Sequence, residues 1–99
     1  MIITKNQTAE KISLALKGRL GNTTAAQLEN EILLVGETVS FLELNFDELE
    51  YISSAGLRVI LSAQKKMSPP RTLLITGVNE TIMEVFEITG FADILTIEG

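Results

Sequence analysis

The hydrophobic residues of this chain change period along its length, and that change restricts the fold more than any other feature. Ile12, Leu14 and Leu16 alternate with Ser13, Ala15 and Lys17, the period-two pattern of a strand. From residue 23 to 35 the spacing becomes three and four, and Ala25, Leu28, Ile32 and Val35 share one helical face. The alternation of periods then repeats. Val39 to Asn45 is dense in apolar side chains, as a central strand covered on both faces would be, although Glu43 sits inside it. A helix follows Ser53-Ser54-Ala55-Gly56 and runs to about Met67. Ser68-Pro69-Pro70 ends it, because proline lacks an amide hydrogen and clashes with the preceding turn. Thr72 to Thr76 reads as a short strand, Asn79 as the cap of a third helix that stops at Gly90, and Ile94 to Ile97 as a last strand.

At the N-terminus, Met1 to Thr4 is short and β-rich, and Gln7 to Glu10 suits a turn, so the first two strands form a hairpin. Thr24 with Gln27 fits a capping box for the first helix, and Gly36 is placed to stop it. The expected order is β-β-α-β-α-β-α-β. Connecting helices of about 10–13 residues favour parallel pairing through right-handed crossovers. This is an α/β chain with a mixed, mostly parallel sheet, an N-terminal β-hairpin and helices packed on it. Ninety-nine residues suffice for one domain, residues 1–99, and not for a second core.

Composition removes most chemistry. The chain has no cysteine and no histidine, which excludes thiol nucleophiles, Cys-ligated metals, phosphohistidine and His-based proton transfer. Eight basic against 13 acidic residues give a formal charge of -5, which argues against nucleic acid or an anionic membrane as partner. The apolar runs are too short to insert in a membrane, and the first residues lack the pattern of a signal peptide. Asp47 and Asp93 have no companions at metal-ligand spacing, so no metal site is expected. Gly18-Arg19-Leu20-Gly21 matches neither GxxxxGK[ST] nor GxGxxG, so no cofactor is expected, and it reads as a turn at a strand end. Seven acidic residues from Glu29 to Glu50, with no basic residue among them, precede a stretch from Ile52 to Asn79 charged only by Arg58, Lys65, Lys66 and Arg71. That polarity suits either ordinary solvated surface or a docking face for a protein.

Ser53-Ser54-Ala55-Gly56 falls where a strand end meets a helix start. A serine there caps free amides, worth about 0.5–2 kcal/mol. The same position would also accept a phosphate, since unpaired N–H groups and the positive end of the helix dipole face it. Ala55 and Gly56 are small enough for another protein to approach the backbone. Arg58, one turn on, has three candidate partners: a neighbouring carboxylate, a binding protein, or a phosphate on Ser54. A nucleophilic role for Ser54 lacks a base, because Lys65 and Lys66 lie about 16 Å down the helix at 1.5 Å per residue. The chain is expected not to be an enzyme.

These motifs resemble the STAS domain of the bacterial anti-sigma factor antagonist family. The resemblance rests on Gly18-Arg19-Leu20 followed by Thr24-Ala25 and Leu28, on Leu42-Glu43-Leu44 with Leu49-Glu50-Tyr51-Ile52, on Ser53-Ser54-Ala55-Gly56-Leu57-Arg58-Val59, and on Thr89-Gly90-Phe91. It implies a cytoplasmic regulator of transcription that works by partner switching. Its partners would be an anti-sigma factor that is also a serine/threonine kinase and a PP2C-type phosphatase. The family's phosphorylated position corresponds to Ser54, and binding is expected through Gly18, Arg19, Gly21, Thr23, Thr24, Ser53, Ser54, Ala55, Gly56 and Arg58. Ser53 stands where the family has an aspartate, Ala55 where it has a second hydroxyl, and Gly21 where an acidic residue is frequent. The alternative is a non-switching accessory subunit of a transporter or larger signalling assembly, with Ser54 acting as a helix cap.

Overall fold

The computed structural model describes residues 1–98; Gly99, the last residue of the expected domain, lies outside the described residues. Five strands form one sheet in sequential order: β1 (Ile2–Gln7), β2 (Lys11–Leu20), β3 (Phe41–Ile52), β4 (Thr72–Thr76) and β5 (Thr96–Glu98). β1 pairs antiparallel with β2, and the other neighbours are parallel. Three helices connect them: α1 (Ala25–Leu33), α2 (Ser54–Lys66) and α3 (Glu80–Thr89). The element order matches the expected one.

Sequential strand order has a direct consequence. Right-handed crossovers that always step the same way put every helix on the same side of the sheet. The burial pattern agrees. Ile12, Leu14 and Leu16 of β2, Leu42, Leu44 and Phe46 of β3, and Leu73 and Ile75 of β4 are all buried. They meet Leu28 and Ile32 of α1, Ile60 and Ala63 of α2, and Ile82 and Phe86 of α3 in one core. The Phe46 and Phe86 rings lie 6.4 Å apart, tilted by 35°. The alternate positions Ser13, Ala15, Glu43, Asn45 and Leu74 are only half-buried. The central strand is therefore covered on one face, not two. Glu43 points to the open side, where its carboxylate meets Lys11 Nζ at 3.7 Å and accepts the Thr76 hydroxyl at 2.9 Å.

β3 is also longer than its apolar density suggests, and Val39 precedes it as a buried loop residue. Its buried positions alternate up to Phe46 and then fall every third residue, at Leu49 and Ile52. The pairing with β2 explains the change. Ala15 and Lys17 oppose Asn45 and Glu48, and Gly18 and Arg19 oppose Leu49 and Tyr51, so β3 carries an extra residue twice. Each bulge resets which side chain faces the core.

Smaller differences follow from local hydrogen bonding. β1 runs on to Gln7, which pairs with Ile12, and the hairpin turn is closed by the Thr8 amide on Lys11 O at 2.8 Å. β2 continues through Gly18 to Leu20. α1 ends at Leu33, short of Gly36. A short 3-10 turn, Phe91–Asp93, occupies the approach to β5, which starts at Thr96. The stop of α2 before Pro69 and the ends of α3 are as expected: the Asn79 side chain accepts from Ile82 N, and Gly90 closes the helix in the left-handed conformation.

Candidate functional site

The candidate site is built where β2 and β3 end side by side. Ser53 donates its amide to Leu20 O at 2.9 Å, which joins the β2 end to the mouth of α2. Ser53 is the N-cap: its backbone is extended and its hydroxyl accepts the Gly56 amide at 3.3 Å. That leaves Ser54 as the first helical residue, exposed to solvent, with no hydrogen bond to its hydroxyl among the described residues. Ser53 thus takes the capping role, and Ser54 is not needed for it. The remaining first-turn amides lack intrahelical acceptors, as at any helix start.

Gly56 is buried, and the structure gives it a packing role. A Cβ there would stand 2.8 Å from Leu20 Cγ and 2.9 Å from Ile52 Cγ1. The helix can cross the strand ends this closely only without a side chain. The small size of Gly56 is thus accounted for by packing within the chain. Ala55 is half-buried and Arg58 exposed on the next turn.

The neighbouring loop is narrower than expected, since Gly18 and Arg19 belong to β2 and the turn itself is Gly21 to Thr24. Thr24 is the N-cap residue of α1, but its side chain makes no capping bond to the helix. Its hydroxyl donates to Arg19 O at 2.7 Å and accepts the Gly21 amide at 2.8 Å, while Gly21 O accepts the Ala25 amide at 2.9 Å. These bonds fix the loop and leave Asn22 and Thr23 exposed. Arg19 lies over the ring of Tyr51, with its guanidinium carbon 4.5 Å from the ring centre. Tyr51 was not among the sequence candidates; an aromatic residue two positions before the cap was the available signal.

Between α1 and α2 runs an open groove lined by Ala25, Ala26, Glu29, Ala55, Arg58 and Val59. The residues predicted from sequence therefore gather at one end of the molecule: Ser53, Ser54, Ala55 and Arg58 on the α2 side, Arg19 to Thr24 on the β2 side. Among the described residues no helix is long and apolar enough to cross a membrane.

Comparison with known proteins adds the family. A model described as "Mlab, STAS domain" matches residues 3–96. BtrV of Bordetella bronchiseptica, named as a candidate anti-sigma factor antagonist, is 32% identical over 99 residues, covering 98% of this chain and 85% of its own. The anti-sigma-B factor antagonist of Listeria monocytogenes is 28% identical over 98 residues, covering 96% of this chain and 85% of its own. Both names describe antagonists, not enzymes. The solved structure of the Bacillus cell fate determinant SpoIIAA in its phosphorylated form has a TM-score of 0.77 at 18% identity, covering 99% of this chain and 92% of that one, a likeness of fold. The matched span takes in all three helices and the end of the sheet that carries Ser54, and on that ground the chain belongs to the STAS domain family, close to the bacterial anti-sigma factor antagonists.

Proposed function

We propose that this protein is an anti-sigma factor antagonist whose binding is switched at Ser54. Unphosphorylated, it binds an anti-sigma factor that is also a serine/threonine kinase. Phosphorylation of Ser54 releases it, and a PP2C-type phosphatase restores the binding form. The observation that carries the reading is the division of labour at the mouth of α2: Ser53 makes the cap, and the exposed Ser54 hydroxyl is left without a partner. A phosphate on Ser54 would leave the cap intact. The antagonist names of two relatives and the phosphorylated form of SpoIIAA support the same reading.

The energetics are adequate. A phosphoserine adds about -1.5 to -2 charges at neutral pH. Enclosing such a group in an interface that does not balance its full charge costs several kcal/mol, a large share of the roughly 8 kcal/mol that holds a micromolar complex. An accessory subunit that used Ser54 as its cap would need the role that Ser53 already fills.

The test uses the purified protein with Mg-ATP and its cognate serine kinase. Intact mass and peptide mapping should find one phosphate, on Ser54. Ser54→Asp should weaken binding to that kinase at least tenfold, about 1.4 kcal/mol. Unchanged affinity of the Asp variant sinks the switch.

A further inference from the structure

Accounting for each basic side chain isolates one of them. Lys5, Lys11 and Lys17 each stand 3.7 Å from a glutamate, Glu31, Glu43 and Glu48 in turn. Lys66 Nζ donates to Ile32 O at 2.9 Å and to Leu33 O at 3.3 Å, closing the C-terminal end of α1. Arg71 donates to Val39 O, Lys66 O and Gly36 O. Arg19 is stacked on Tyr51. That leaves Arg58 and Lys65, both exposed on α2, and neither makes an ion pair among the described residues. Lys65 lies in the last turn, where a cation complements the helix dipole. Arg58 is the fifth residue of α2, past the first turn and far from the last, so the helix dipole gives its charge no support. Glu29 lines the same groove from α1 and is not within ion-pair distance.

Arg58 follows Ser54 by four residues in a continuous α-helix, and both are exposed. Residues at that spacing stand on one face, with Cβ atoms about 5–6 Å apart. A phosphate on Ser54 comes within reach of the guanidinium, whose planar fork matches phosphate oxygens. We infer that Arg58 is the resident counter-ion of phosphorylated Ser54. It holds the modified side chain along α2 and lets the fold keep a doubly charged group at the helix mouth. The inference rests on the reading of Ser54 as the modified residue and adds the side chain that receives the phosphate. Of the three partners open to Arg58 from sequence, no carboxylate stands within ion-pair distance among the described residues, and the phosphate is the one that geometry supplies from within the chain.

The test does not depend on any kinase. Phosphoserine is installed at position 54 during translation, in the parent and in Arg58→Gln, Arg58→Lys and Lys65→Gln backgrounds. The second ionisation of the phosphate is followed by phosphorus NMR. With Arg58 present the dianion is favoured, so the midpoint in Arg58→Gln should lie about 0.15–0.4 pH unit higher than in the parent. Arg58→Lys should fall closer to the parent, and Lys65→Gln should match it. Circular dichroism of each variant confirms that the helices are kept. Equal midpoints in the parent and Arg58→Gln would overturn the counter-ion. A shifted midpoint in a protein that its kinase fails to modify at Ser54 would uphold the counter-ion and defeat the functional reading instead.

Discussion

Two adjacent serines of the same chemistry have different structural duties because one residue separates cap from helix. Ser53 has extended backbone and turns its hydroxyl back to the Gly56 amide; Ser54 is already helical and its side chain faces outward. Ser53→Ala should therefore lower stability by about 0.5–2 kcal/mol, the usual value of a lost cap. Ser54→Ala should change it by less than about 0.5 kcal/mol, as for an exposed helical site. Urea denaturation of both variants checks the pair. The reverse ranking would assign the cap to Ser54 and remove the basis of the proposed switch. Sequence spacing marked this tetrapeptide but did not say which serine capped, because the answer depends on where Leu20 O fixes the chain. The packing role of Gly56 was hidden for a similar reason, since its contact with Leu20, 36 residues away in the chain, exists only in the folded sheet.

At the scale of elements, local signals were legible and non-local ones were not. The Asn79 cap, the Gly90 stop and the proline stop after α2 are encoded within a few residues, and each was readable. Thr24 carried a valid cap signal, yet its hydroxyl holds Arg19 O and Gly21 N, because the turn after β2 has to be fixed against the strand end. The phase of β3 was hidden because its bulges exist only in register with β2. Phe41 added to the apparent apolar density, although it is half-buried beside Lys11, whose ammonium lies 5.1 Å from the ring centre. Arg71 was also unreadable. Its three acceptors belong to the loop before β3 and to the end of α2, over 30 residues apart for Val39 and Gly36. It ties the loop before β3 to the C-terminal end of α2, at the other end of that helix from Ser54. Arg71→Gln should cost about 2 kcal/mol, since charge-assisted hydrogen bonds to backbone carbonyls are lost. A thermal melt reads it, and a melting temperature within a degree of the parent would show that the clasp carries no stability.

For the molecule as a whole, the decisive property is that the sheet has a covered and an open side. Sequential strand order with right-handed crossovers requires it. A two-sided α/β sheet would bury both Leu44 and its neighbour Glu43. Here Leu44 is fully buried beneath the helices, whereas Glu43 shares the open side with Lys11 and Thr76. Adjacent substitutions on one strand therefore separate the two architectures. Leu44→Ala opens a cavity in the core and should cost about 2–5 kcal/mol. Glu43→Gln weakens a partly exposed ion pair while keeping an acceptor for Thr76, and should cost about 1 kcal/mol or less. Urea unfolding supplies both numbers, and the slopes of the two curves should agree, because neither change alters the area exposed on unfolding by much. Equal, large losses at both positions would mean that the far side of the sheet is covered too. The end that carries Ser54 is set instead by the parallel pairing, which brings the carboxyl ends of β2, β3 and β4 and the helix mouths to one edge of the sheet.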